Sequence, residues 1–283
     1  MKKRLLAWLL SLAMLLTVGA VAAAETNPNA GLGYYPGTSE KGWISVECST
    51  MSKMNPFLQT YSTEFSVSRH IWDCLVKLSA EDNSIVPAAA ESWESSEDGM
   101  TWTFTVRDDV KFTDGTPLTA RDVAFTINGI LNSEASECDM SMVKEAVATD
   151  DATVVVHMEK PFNALLYTLA VVGIVPEHAY GDTYGDNPIG SGRYMLEQWD
   201  KGQQVILKAN PDYYGEAPNI QRVVVVFMEE DASLAAAKSG QVDVAYTSAT
   251  FAAQQPSGYD LLNCASVDSR GISLPVIPAG ATK

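Results

Sequence analysis

Three histidines, four cysteines, a cluster of carboxylates and one Gly-Ser-Gly are the residues of this 283-residue chain that can do bond-making chemistry, and their spacing decides what they do. His70, His157 and His178 are scattered and include no H-E-x-x-H, so a zinc hydrolase has no ligand set to start from. Cys48, Cys74, Cys138 and Cys264 show no C-x-x-C spacing, which leaves buried thiols or disulfides in any of three pairings. Glu229, Glu230 and Asp231 adjoin one another at a strand end. Neighbouring side chains there diverge, whereas glycoside hydrolysis needs two carboxylates facing one bond. Gly190-Ser191-Gly192 lacks the G-x-S-x-G frame of a nucleophile elbow, and there is no P-loop. The pattern that remains is a binding one. The irregular stretch 50–64 follows a short strand, turns at Asn55-Pro56 and runs into a helix. Such a turn presents backbone N–H and C=O groups to a peptide-like ligand by strand addition.

The compartment follows from residues 1–24, MKKRLLAWLLSLAMLLTVGAVAAA: three cations, an apolar run and Ala22-Ala23-Ala24 ahead of Glu25. That order reads as an export signal with an A-x-A cleavage site, not an anchor. No cysteine stands at the cleavage point, so the mature chain is expected to be freely soluble in a periplasm or outside the cell, with no membrane insertion after cleavage. Of the 19 Lys and Arg, three lie in this leader, leaving 16 against 35 acidic side chains and a net charge of −19. A surface that acidic repels nucleic acid and anionic lipid. With 46% apolar residues, the chain also has the means to build a core.

The elements that must position the 50–64 stretch are read from periodicity and turn residues. Trp43–Ser49 alternates as a first strand, and Phe65, Ile71, Trp72, Leu75 and Val76 recur at helical spacing. Asp98-Gly99 joins strands Ala90–Ser95 and Met100–Val106, the second placing Trp102, Phe104 and Val106 on one face and three threonines on the other. Thr119, with Asp122 three residues on, opens a helix running to Leu131. Val143–Thr149 and Thr153–Met158 form a hairpin, and Pro161–Ala170 reads as a helix. After the turn at 187–192 come the pair Tyr194–Gln198 and Gln204–Ala209, then Arg222–Met228, an apolar strand suited to a sheet centre. A helix Ser233–Lys238 and a strand Val242–Ala245 follow. The fold class is α+β without internal repeats.

Several segments, taken in order, resemble family 5 of the extracellular solute-binding proteins, the dipeptide, oligopeptide and nickel receptors of ABC importers. They are Met54–Phe57, Ile85–Trp93, Asp98–Val123, Glu159–Phe162, Pro188–Tyr194, Asn210–Gly215 and Ser239–Val244. The resemblance implies a type II periplasmic-binding-protein first lobe carrying a small inserted α/β subdomain. It divides the chain into a signal (1–24), a leader (25–42), lobe I in two parts (43–69 and 186–270), the insert (70–185) and a truncated crossover (271–283). The second lobe is expected to be missing, because family members are considerably longer. The implied partners are a small peptide or similar solute and an inner-membrane ABC permease, met by a monomer that uses no cofactor and no metal. The family's ligand-facing loop maps onto the same 50–64 stretch, so Met51, Gln59, Thr60, Tyr61 and Glu64 are the candidate solute contacts, with Arg193 beside the glycine-rich turn. Peptide is the expected solute, with a nickel chelate, an opine, or a non-transport sensor or folding role as alternatives. Trp93, Trp102, Phe104 and Phe112 are expected to be the insert's core.

Overall fold

Arg222–Phe227, almost all valine, has no polar face to turn to water, and in the computed structural model of the chain it is the middle strand of a five-stranded sheet. The structure describes residues 43–47, 51, 53–58, 62–79, 81–133, 136, 138–245, 250, 253 and 254. In chain order the elements are β1 (Trp43–Glu47), α1 (Ser62–Ile71), β2 (Val76–Leu78), β3 (Ile85–Pro87), β4 (Ala90–Ser95), β5 (Thr101–Val106), α2 (Ala120–Leu131), β6 (Val143–Ala148), β7 (Thr153–Met158), α3 (Leu165–Leu169), β8 (Tyr194–Asp200), β9 (Gln204–Ala209), β10 (Arg222–Phe227), α4 (Glu230–Lys238) and β11 (Val244–Ala245). Single 3-10 turns occupy Glu177–Ala179 and Tyr184–Asp186.

The five-stranded sheet runs β11-β1-β10-β9-β8, with β1 parallel to both neighbours and β10-β9-β8 antiparallel. Both of its faces are covered. Val205, Leu207 and Val225 enter the main core, while Ile206 and Val224 pack with Ala236, Ala237 and Val242 at α4. A second, antiparallel sheet runs β4-β5-β7-β6. Trp102, Phe104 and Val106 of β5 and Val154, Val156 and Met158 of β7 are its buried face, with the β5 threonines half-buried on the other. Phe112 is buried with them and Trp93 packs partly buried against the same core. Helix α2 lies against β6 and β7, and the Asn128 amide occupies the open side of β6: its Nδ2 donates to the Ala146 carbonyl at 2.8 Å and its Oδ1 accepts from the Ala146 N–H at 2.9 Å. A side chain thus stands where another strand would bind. One continuous core joins the two sheets.

Three expectations shift. Leu75 and Val76 do not extend α1. The helix stops at Ile71, Cys74 bridges Gly173, the Cys74 and Leu75 carbonyls accept from Ala89 and Ala90, and Val76 begins β2. Apolar spacing looked helical there because Ile71, Trp72, Leu75 and Val76 are all buried, and pairing with Gly173, Ala89 and Ala90 decided otherwise. The helix expected over Pro161–Ala170 is confined to Leu165–Leu169. Helix α4 begins at Glu230, three residues before Ser233.

The start of α2 is fixed as its sequence suggests. The Asp122 carboxylate accepts from the Thr119 N–H and, through its other oxygen, from the Glu177 N–H at 3.0 Å, while remaining only 7% exposed. Asp122→Ala leaves both amides without that acceptor. A loss of about 1–2 kcal/mol is expected, at the upper end for a helix cap, read as a lower urea midpoint at unchanged slope.

Three turns rest on ionised carboxylates. Asp98 accepts from the Ser96 hydroxyl (2.6 Å) and the Met100 N–H (3.0 Å), and these bonds hold its carboxyl below the usual range. Asp150 is lowered by the Ala152 and Thr153 amides, both at 2.8 Å. At Asp114 partial burial pushes upward, but Thr116 and His178, the latter at 2.7 Å, together outweigh it and lower the carboxyl. A carboxyl depressed by folding contributes stability that is full above its unfolded value, about 3.9, and is lost as pH falls through the folded one. The urea midpoint should therefore drop steadily below about pH 4, and Asp98→Asn should shallow that drop.

Candidate functional site

Chain leaving α1 and chain returning to β8 cross at backbone contact. The Gly192 N–H donates to the Ile71 carbonyl at 2.8 Å, and the Gly190 carbonyl accepts from the Thr113 N–H at 2.8 Å. A Cβ at Gly190 would clash with the Ile71 carbonyl oxygen and lie 2.7 Å from its carbon, and one at Gly192 would stand 2.5 Å from the His70 carbonyl oxygen. Close approach, rather than a left-handed φ, selects glycine at both. Ser191 between them is 1% exposed and its hydroxyl has no hydrogen-bond partner among the described residues, so it faces no substrate as a nucleophile. Beside the crossing the Trp72 indole N–H donates to the Tyr184 hydroxyl at 2.7 Å, which in turn donates to the Ile189 carbonyl. Burial drives the Tyr184 phenol far above its ordinary value, so it stays a donor.

The stretch before α1 is anchored from below. Asn55 Oδ1 accepts from the Phe57 N–H at 3.0 Å, the Leu58 N–H donates to the Asn55 carbonyl at 3.0 Å, and Asn55 Nδ2 donates to the Tyr180 hydroxyl at 3.1 Å. This is the turn that Asn-Pro announces. Phe57 fills a slot between Tyr180, ring centroids 4.6 Å apart, and Phe125 at 5.7 Å. The Ser133 hydroxyl closes it by donating to the Phe57 carbonyl at 2.8 Å. Met51 and Met54 enter the same core. Past Phe57, on the flank of α2, lies an open depression of about 470 Å³ bordered by Arg121, Phe125, Asn128, Gly129, Asn132 and Glu177.

The candidate solute contacts fare unequally. Met51 is 3% exposed, so its side chain is committed to the core and only its main chain is left to offer. Gln59, Thr60 and Tyr61 lie outside the described residues, and so do residues 1–42, Cys48 and Cys264. Glu64 sits in the first two turns of α1, its side chain outside the described residues. Arg193 is exposed, its guanidinium carbon 5.5 Å over the Tyr213 ring and its carbonyl accepting from the Asn210 N–H at 2.8 Å. Sequence reasoning passed over Tyr180, which holds Asn55 and Phe57 of the Met51–Leu58 turn, Tyr184 at the crossing and Asn128 at the β6 edge; their only signal is an aromatic or amide in a polar segment. Glu229 and Asp231 serve the start of α4, and the described histidines stay apart, His178 paired to Asp114. Among the described residues no group of three or more His, Cys, Asp and Glu side chains could hold a metal ion, and no helix is long and apolar enough to cross a membrane.

This mixed sheet, with parallel strands at one end and an antiparallel sheet-and-helix unit beside it, has the fold of solved periplasmic solute-binding proteins over part of their length. A sequence profile described as bacterial extracellular solute-binding proteins, family 5 middle, matches residues 84–273, and the chain belongs to that family. It is 40% identical over 172 residues to the probable D,D-dipeptide-binding periplasmic protein DdpA of Escherichia coli K12, covering 55% of this chain and 33% of that protein. To the nickel-binding periplasmic protein of the same organism it is 29% identical over 204 residues, covering 68% and 38%. The solved structure of the binding protein AgaA of A. tumefaciens R10 in complex with agropinic acid superposes with a TM-score of 0.69 at 29% identity, over 75% of this chain and 45% of that one. The chain thus spans about a third of the length of the curated relatives it matches.

Proposed function

We propose that this chain is solute-capturing material of an ABC importer, taking peptides or related small solutes outside the inner membrane and passing them to a permease. The observation that carries the reading is the family match over residues 84–273. The named D,D-dipeptide specificity of DdpA supports peptide as the solute. The agropinic acid held by AgaA supports an opine as the second reading. Residues 1–24 act as the export signal, the protein works in the periplasm as a monomer, and the lobe divides into 43–69 with 186–270 around the insert 70–185.

Capture is by contact, with no bond made or broken. The solute pairs with main chain at Met51 and with Gln59, Thr60, Tyr61 and Glu64, and Arg193 contributes charge near the crossing. The buried Asn55–Phe57 turn supports this by holding the entry to the stretch rigid, so that less ordering entropy opposes binding. Closure of two lobes on one solute is a population shift: it proceeds only as far as the solute favours the closed form by touching both.

The test is a thermal-shift titration of the full chain with D-alanyl-D-alanine, an L-tetrapeptide, nickel–histidine and agropinic acid. Saturation at 100 times Kd stabilises by about 2.7 kcal/mol, a shift of several degrees. A rise with either peptide supports the peptide reading, a rise with agropinic acid alone replaces it by the opine reading, and no rise with any of the four rejects solute capture by this chain.

A further inference from the structure

Asp73 is the second residue beyond α1, and three donors converge on its carboxylate. Oδ1 accepts from the Cys74 N–H at 3.0 Å; Oδ2 accepts from the Tyr213 hydroxyl at 3.1 Å and from the Tyr214 hydroxyl. The tyrosines come from the β9–β10 connection, 140 residues away in sequence, and their rings touch at 4.8 Å. Each carries a guanidinium over its face: Arg193 at 5.5 Å from Tyr213, and Arg107 at 5.1 Å from Tyr214. Arg107, from the end of β5, is itself held by both oxygens of Asp109, at 2.8 and 2.7 Å. The loop that presents the tyrosines is tied to the returning chain by Asn210, whose N–H donates to the Arg193 carbonyl at 2.8 Å and whose Nδ2 donates to the Gly192 carbonyl at 2.9 Å.

We propose that Asp73, Tyr213 and Tyr214 form a clasp that fixes the angle between the five-stranded sheet and the insert, so that the two move as one body. Two chains crossing at glycines make a close contact but a poor lever, and a junction of that kind is where a domain can swing. The clasp sits beside the crossing and joins the outgoing chain (Asp73), the sheet's own connection (Tyr213, Tyr214) and the insert (Arg107), which removes that freedom. Hydrogen bonds to an ionised acceptor are about twice as strong as neutral ones, and the two cations over the rings offset the acid's charge. Burial, and then the Asp73 charge, push the Tyr214 phenol far above its ordinary value, so the donor persists wherever the protein is folded.

The experiment compares Asp73→Asn, Tyr213→Phe, Tyr214→Phe and Asp73→Asn/Tyr214→Phe in the full chain by hydrogen-exchange mass spectrometry. Asp73→Asn and Tyr214→Phe should each speed exchange across 190–194 and 210–216 about tenfold, while β5 and β7 stay within about twofold. The double variant should exchange no faster than Asp73→Asn alone, because the same bond is lost in each; a bystander role would give additive effects. Unchanged exchange at 190–194 and 210–216, additive effects, or equal acceleration in β5 and β7 would overturn the proposal. The phenylalanine variants keep both rings and both cations and remove only a hydroxyl, so they decide the matter even where Asp73→Asn does not fold.

Discussion

Gly190→Ala is expected to cost more than alanine at any other described glycine, about 3 kcal/mol or more, at the top of the range for overpacking. The new Cβ would clash severely with the Ile71 carbonyl oxygen and lie 2.7 Å from the carbonyl carbon. Both are backbone, so no rotamer can yield. Ile71 is at the end of α1 and fully buried, with its own carbonyl engaged by the Gly192 N–H, so the outgoing chain is held on its other side too. The only relief is to part the two chains, and that breaks the Thr113-to-Gly190 and Gly192-to-Ile71 hydrogen bonds together. Gly202→Ala is the matched control. Its φ of +79° carries a backbone penalty of about 1 kcal/mol, but nothing lies within 4 Å of the added atom. Urea denaturation of both variants measures the difference. A Gly190→Ala midpoint equal to or above that of Gly202→Ala would refute the crossing as the structure's tightest constraint.

What was legible in the chain was whatever local pattern decides. RVVVVF offers no face to solvent and therefore goes to the middle of a sheet. TWTFTV alternates and buries every second residue. Asp98-Gly99 turns where glycine adopts positive φ, and Thr119 with Asp122 begins α2. The glycine-rich turn at 187–192 could be read, but not that its glycines pass against the backbone of Ile71 and His70. What stayed hidden depends on partners 18 to 141 residues away. The Asn128 amide closing the β6 edge, Trp72 donating to Tyr184, and Asp73 collecting two tyrosines all use residue types that are equally at home on a surface. The error at Leu75 and Val76 has the same root, since what ends the helix is pairing of Cys74 and Leu75 with Gly173, Ala89 and Ala90. Of the site, the turn at Asn55-Pro56 was readable, while the aromatic slot that receives Phe57 was not.

That slot yields the second large effect. Phe57 is 5% exposed, and Phe57→Ala should cost about 3–5 kcal/mol by lost burial and by the cavity left between Tyr180 and Phe125. The reciprocal change tests the fit from the other side. Gly129 is in the last three residues of α2, where alanine would ordinarily gain about 1 kcal/mol in helix propensity. Here a Cβ would overlap the Phe57 ring edge, 2.6 Å from its Cζ, and the ring cannot retreat because Tyr180 and Phe125 hold it. Gly129→Ala alone should therefore destabilise by about 1–2 kcal/mol despite its propensity. In the Phe57→Ala background the clash is gone, and the same substitution should become neutral or favourable, giving a coupling energy of at least about 1 kcal/mol in a double-mutant cycle. Additive effects would mean that Phe57 and Gly129 do not share a surface. The cycle also bears on capture, because Phe57 is the last buried anchor before Gln59, Thr60 and Tyr61. Phe57→Ala should thus reduce any solute-induced thermal shift in the folded variant by more than Gly129→Ala does, since only the first removes the ring that pins the turn between Tyr180 and Phe125.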